Sequence, residues 1–375
     1  MLARTGIFHE RGKWIGPNTG WDTFFVKIQI LWSNASGYLA SCVNALSQKV
    51  DVAICIADNQ TSTNFDPSAL FSPQVSASVW HPALGERPTM GFHEPDLLLV
   101  SGWMYPQYLR LARRFAGRTR RVMAMDNQWT GSFRQRAAQV ARWRWIRPYF
   151  DAAFVPGWRQ RTFAAKLGIT SAAIYPGLYS TDPSSFVPSH STSPKAPFTF
   201  VGRLAEIKGL PLLLRTYSQY REEVESPRRL RLVGQGPLFR EASRIEGTEC
   251  LGFVSPNDLS ALLPESWAFV LPSVREPWGV AMHEAAASGL PLLVSSSCGA
   301  SDAFLGSQRN GWLFPPDSPS ALLQALNEAD SLSLDERREM GNHSRALSLR
   351  YTPEKWTQTV VDMANRIPSR WEDVS

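Results

Sequence analysis

Short apolar, β-branched runs alternate with longer stretches of helical period along this chain, and the alternation runs through twice. In the first half, Val26-Lys-Ile-Gln-Ile-Leu-Trp32 reads as a strand. The turn Ser33-Asn-Ala-Ser-Gly37, a helix to about Lys49 and a second strand over 51–57 follow it. The runs 96–101, 121–125 and 151–155 have the length and continuous apolarity of strands buried on both faces. Residues 59–95 read as irregular and polar. A Ser/Pro-rich segment, 181–197, has the composition of an interdomain linker, and after it the alternation restarts. Strands are predicted over 198–201, 229–233, 267–272 and 290–295, and helices over 210–224, 280–288 and 318–329. The helix at 210 has Pro211 near its first position and apolar residues at 210, 213, 214, 217 and 220, which share one face. Such alternation predicts an α/β fold with parallel sheets, here as two α/β halves facing across a cleft. The expected domains are 1–195, with a tail at 1–25 and the linker at 181–197, then 196–350. A terminal helix within 351–375 is expected to return to the first domain.

Composition changes this picture only locally. With 43% hydrophobic and 19% charged residues, the chain is ordinary for a globular protein. The four cysteines, at 42, 55, 250 and 298, show no metal-binding spacing and are too few for a disulfide scaffold, so a reducing cytoplasm is expected. Apolar runs are strand-sized, well short of the roughly 20 residues that span a bilayer, and the first 25 residues lack the apolar core of a signal peptide. Charge is uneven. The fifty residues from Ser101 to Phe150 hold eleven Arg, no Lys and a single acid, Asp126, a net +10 in a chain whose total is +6. A local excess of that size marks a surface for anions such as phosphates, acidic sugars or lipid headgroups. Within it, Trp143, Trp145, Ile146 and Tyr149 interleave with Arg142, Arg144 and Arg147. That pattern suits a segment lying in a headgroup region, or equally a packed helix whose arginines line an acceptor groove.

Two constellations in the second half carry chemistry. The first is Val201-Gly202-Arg203-Leu-Ala-Glu-Ile-Lys208-Gly209, between a strand and a helix. A glycine there lets backbone approach a ligand, and two cations five residues apart suit a diphosphate at a helix start. Taken alone, they also fit solvated loop charges. The second is Glu276-Pro-Trp-Gly279-Val280-Ala-Met-His-Glu284, closed by Gly289 and Pro291. Eight residues of helix would separate its glutamates by about 12 Å, enough to span a sugar and a ribose. Helix N–H groups at Gly279 and Val280 would face phosphates between them. His283 reads as a packed core histidine. Gly234-Gln-Gly236 and Cys298-Gly299-Ala300 follow strands and could admit a ligand or merely turn the chain.

Gly-Arg-x4-Lys-Gly followed by Glu-x7-Glu resembles the donor site of retaining GT-B glycosyltransferases, specifically glycosyltransferase family 4 (group 1). The resemblance covers about residues 196–350. It implies a GT-B fold of two Rossmann-like domains and transfer of a hexosyl unit from a nucleoside diphosphate sugar to a glycan or lipid-linked acceptor in polysaccharide or glycoconjugate biosynthesis. No metal or other cofactor is expected, and no Asp-x-Asp motif occurs. By resemblance Arg203 and Lys208 hold the diphosphate, Glu276 the transferred sugar and Glu284 the ribose. Gly202, Gly234, Gly279 and Val280 approach the donor, and Phe253 and Val254 border its base. On the acceptor side Gly37, Asp126 and Asn127 occupy the matching positions. Asp126 stands where many members place a histidine, and Asn34-Ala-Ser-Gly37 where many carry a Gly-Gly turn. The expected location is the cytoplasm, at the inner membrane face, with no nucleic-acid partner. The same scaffold also serves sugar phosphorylases, epimerases and subunits that bind donor without catalysis.

Overall fold

Two parallel sheets form from the two runs of alternation. The computed structural model describes residues 26–58, 67–189, 193, 195–306 and 309–366, with a short antiparallel ladder pairing Phe8–His9 with Lys13–Trp14. The rest of the tail at 1–25, part of the irregular stretch (59–66) and the end of the terminal segment (367–375) lie outside the described residues.

The first sheet contains β1 (Lys27–Trp32), β2 (Asp51–Ala57), β3 (Val75–Trp80), β4 (Leu97–Ser101), β5 (Arg120–Ala124), β6 (Ala152–Val155) and β7 (Ile174–Pro176). Their order is β3-β2-β1-β4-β5-β6-β7, parallel throughout, with Ile28 between Val52 and Leu97 in register. Central strands are covered on both faces, which is why their sequences are nearly continuous apolar runs. Gln29 is one buried exception, its amide donating to the Ala53 carbonyl (3.3 Å) and accepting from the Gly91 N–H (2.8 Å). Strand β3 falls inside the stretch expected to be irregular. Its alternating Val-Ser-Ala-Ser-Val-Trp is the period of an edge strand with one wet face, a weaker signal than a buried run.

The second sheet contains β8 (Phe198–Val201), β9 (Leu230–Val233), β10 (Thr248–Gly252), β11 (Ala268–Leu271), β12 (Leu292–Ser295) and β13 (Gly311–Phe314), in the order β10-β9-β8-β11-β12-β13. Strand order reverses beside β1 in one sheet and beside β8 in the other, and open α/β sheets bind ligands at the strand carboxyl ends at such points. Each domain has its own core.

The segment 181–197 does not run free between the domains: Phe186 is buried in the second core, and the Arg345 guanidinium donates to the Phe186 and Ala287 carbonyls. The terminal helix Pro353–Arg366 packs on the helix Gly37–Ser47, burying Trp356, Val360 and Met363 in the first domain's core, and the Trp356 indole donates to the Leu178 carbonyl (3.0 Å). No described helix is long and apolar enough to cross a membrane.

Candidate functional site

The chain leaves β8 through Gly202, whose N–H donates to the Val233 carbonyl (2.9 Å) at the end of β9. Gly234 makes a close backbone contact with this loop. Its φ is +135°, and a Cβ there would lie 2.0 Å from the Gly202 carbonyl oxygen. Beyond it the turn Glu206–Lys208 enters the helix Leu210–Glu223, and the Ile207 carbonyl accepts from the N–H groups of Val274 (3.0 Å) and Arg275 (3.3 Å). The two donor-side loops are thereby fastened together. Lys208 Nζ pairs with Glu276 Oε2, to which Ser273 Oγ also donates (3.3 Å). Lys208 and Glu276, expected on different parts of the donor, are each other's partner here. Arg203 is exposed and has no partner among the described residues.

Glu276 does not share a helix with Glu284, so a helical rise does not set their separation. The helix is Val280–Ala287, and Glu276 lies in the preceding loop, bridged to Cys298 beside β12. Gly279 caps that helix without a side-chain bond, leaving first-turn N–H groups at Val280 and beyond for a ligand. Glu284 is half-buried and hydrogen-bonds to no described side chain. Burial alone pushes its carboxyl up to about 7. His283 is fully buried, stacked on Phe304 (4.3 Å), and burial lowers its imidazole to about 3. Phe253 is exposed and Val254 half-buried, after β10.

Across the cleft a cavity of about 490 Å³ opens at the carboxyl ends of β1, β4 and β5, lined by Trp32, Tyr38, Ser101, Asp126, Asn127 and Tyr179 among others. Gly37 starts the adjoining helix beside Pro256 of the second domain. Asp126 is half-buried and accepts from Tyr179 Oη (3.0 Å). Burial first, then the Asp126 charge, holds the Tyr179 phenol well above its usual range. No arginine pairs with Asp126 among the described residues. The buried cation of this region, Arg121, is spent on Asp151 (2.7 Å), so it is not part of the anion-facing surface. Burial raises the Tyr38 phenol, against a lowering hydrogen bond with Ser36, and nearby negative charge, that of Asp126 first, adds to the rise. A further cavity of about 420 Å³ lies between the domains, lined by Asn127, Gln128, Thr130, Ile207, Val274, Arg275, Pro277 and Ser297. Gln128, which no motif signalled, reaches across it. No group of three His, Cys, Asp or Glu is placed to hold a metal among the described residues.

Two facing parallel sheets with a charged cleft at their carboxyl ends define a GT-B fold. Solved structures agree: Anabaena HepE in complex with UDP superposes with a TM-score of 0.72 over 91% of this chain and 100% of that one, at 16% identity. A structure from E. coli bound with UDP-2-fluoro glucose gives a TM-score of 0.71 over 91% and 99%, at 11% identity. Residues 196–329 match the family model for glycosyl transferases group 1. The Escherichia coli K12 protein WcaL is 30% identical over 186 residues, 46% of this chain and 45% of WcaL. Glycogen synthase of Mycobacterium tuberculosis H37Rv is 30% identical over 180 residues, 44% of this chain and 40% of the synthase. The matches thus span less than half the length of these relatives.

Proposed function

We propose that this protein is a retaining glycosyltransferase of family 4 that moves a sugar from a nucleoside diphosphate sugar to a glycan or lipid-linked acceptor. The observation that carries this reading is the donor-side cluster at the second sheet's carboxyl edge. It comprises a Lys208–Glu276 pair, an Arg203 exposed and unpartnered among the described residues, and a desolvated Glu284, opposite the cavity that holds Asp126. In this reading the diphosphate takes Lys208 from Glu276, which frees that carboxylate for the sugar hydroxyls. Arg203 and Lys208 stabilise the charge that grows on the departing diphosphate, Val280 and its neighbours add helix N–H groups, and Glu284 accepts from the ribose. The departing phosphate accepts the acceptor's proton as the hydroxyl attacks from the same face, so no enzymic nucleophile and no metal is needed. The likeness to HepE, solved in complex with UDP, supports a uridine donor, and the likeness to a glycogen synthase supports polysaccharide assembly. Thermal stabilisation by a panel of UDP-, GDP- and ADP-sugars tests the reading. The matching donor at 100 times its Kd adds about 2.7 kcal/mol, and no stabilisation by any of them would overturn it.

The acceptor side favours a lipid-linked molecule at an anionic membrane surface on the cytoplasmic face. The helix Phe133–Val140 has no buried residue, and Phe133 (86% exposed), Val140, Arg134 and Arg136 all face solvent. Beneath it lies an apolar cavity of about 370 Å³ that shares Trp103 and Asn127 with the Asp126 cavity. Ile146, expected among the membrane-facing residues, is buried instead. Co-sedimentation with phosphatidylglycerol vesicles should be strong at low salt and lost at high salt; no binding at low salt would remove the docking.

A further inference from the structure

Two successive carbonyls of the donor loop accept side-chain hydrogen bonds from the opposite domain. Gln128 Nε2 donates to the main-chain carbonyls of Glu276 and Pro277 (both 3.0 Å), and Gln160 Nε2 donates to the Pro277 carbonyl. Both glutamines belong to the first domain, and both carbonyls to the second. Gly299, in the Cys-Gly-Ala turn after β12, makes the convergence possible. A Cβ there would lie 2.1 Å from the Pro277 carbonyl oxygen, 2.8 Å from Gln128 Nε2 and 3.0 Å from Gln160 Nε2. Its own N–H donates to the Glu276 carbonyl (3.0 Å), so that oxygen receives one bond from each domain.

The glutamines are themselves fixed. The Gln128 carbonyl accepts from Gln135 Nε2 (2.7 Å), and Gln135 Oε1 in turn accepts from the Thr130 and Gly131 N–H groups (2.7 and 3.1 Å). Gln160 has 0% exposure, and its Oε1 is buried with no partner among the described residues. An unpaired buried acceptor is unfavourable, so this amide is retained against a local cost, and its one bond is the one to Pro277. One residue earlier, Arg159 forms a separate latch. Its guanidinium grips both Asp302 oxygens (2.8 and 2.7 Å) and reaches the Ser296 carbonyl (2.8 Å), without touching the Glu276–Pro277 peptide.

We propose that Gln128 and Gln160 are positioning residues that set the Glu276 loop, so that the carboxylate is presented to the donor's sugar only when the two domains are closed. This rests on the transferase reading above. The acceptor domain then controls sugar recognition without touching the donor, while the nucleotide is held by the second domain alone.

Gln128→Met and Gln160→Met keep side-chain length and remove the N–H, and Arg159→Met removes the latch but not the peptide contacts. Calorimetry with UDP and with the stabilising UDP-sugar, alongside melting temperature, reads the difference. Each glutamine variant is expected to bind UDP like the native protein and the UDP-sugar about five- to tenfold more weakly, the scale of one hydrogen bond. Arg159→Met is expected to show no such preferential loss. Should Gln160→Met fold poorly, Gln128→Met, only half-buried, gives the same readout. A folded double variant with native UDP-sugar affinity, or equal losses for UDP and UDP-sugar, would overturn the proposal. A native protein that binds none of the UDP-, GDP- and ADP-sugars would overturn the transferase reading itself.

Discussion

Replacing Glu284 by glutamine should stabilise the protein at pH 8, leave it almost unchanged near pH 5, and weaken nucleotide binding. Burial raises this carboxyl from 4.5 to about 7. A folded-state value above the unfolded one means that the folded chain keeps its proton longer. Between those two values the unfolded chain binds fewer protons, so stability falls as pH rises through that window, and the penalty is complete above pH 7. At 1.36 kcal/mol for each pH unit the full rise corresponds to about 3 kcal/mol. Glu284 keeps some contact with solvent, so about 2 kcal/mol is the expected gain for the neutral glutamine at pH 8, shrinking to under about 1 kcal/mol near pH 5. Urea denaturation of both proteins at the two pH values reads this directly, because contributions shared by both chains cancel in the difference. The same substitution should weaken UDP binding at pH 8 by about tenfold or more, the scale of a hydrogen bond to a charged acceptor. A carboxylate that costs stability and supplies binding is a site residue. A stability difference independent of pH would refute the desolvation argument, and native UDP affinity would refute the ribose contact.

Arg203→Ala and Lys208→Ala should each lower kcat/KM by about 10²-fold, the scale of losing one preorganised charge contact in the transition state; unchanged kinetics in both would remove the diphosphate assignment. Glu276→Gln should weaken binding of the sugar-bearing donor and spare UDP, and calorimetry showing equal losses for the two ligands would contradict its role. Asp126→Asn should lower transfer while leaving donor affinity intact, because the carboxylate lies in the acceptor-side cavity and pairs with no arginine among the described residues; normal transfer would assign it to structure alone.

Much of the architecture was legible because buried parallel strands write themselves as continuous apolar runs, as in Val52 to Ala57 and Leu97 to Val100. Strands β3, β7, β10 and β13 were missed because they are short or carry a wet face, and pairing with the neighbouring strand, not their own sequence, makes them strands. On the donor side, Arg203, Lys208, Glu276 and Glu284 could be picked out because their spacing is local. What spacing could not show is that Lys208 and Glu276 meet, since 68 residues separate them. Gln128 and Gln160 carried no signal at all: they are neutral amides in no motif, and their partners lie 117 to 149 residues away. Arg121 and Ile146 misled for the same reason. A run of arginines and aromatics reads as surface, while the buried Asp151 pair and the core around Phe150 become visible only once the sheet has formed.

The central claim, retaining transfer from a nucleoside diphosphate sugar, meets its most direct test in proton NMR of the protein with the α-linked donor that stabilises it. Slow transfer to water stands in for the acceptor, and the first sugar released is observed before its anomers equilibrate. Free nucleoside diphosphate is expected together with the α-anomer, both lost in Lys208→Ala. Release of the β-anomer first would contradict retention, and a donor that stays intact when an acceptor is also supplied would contradict transfer.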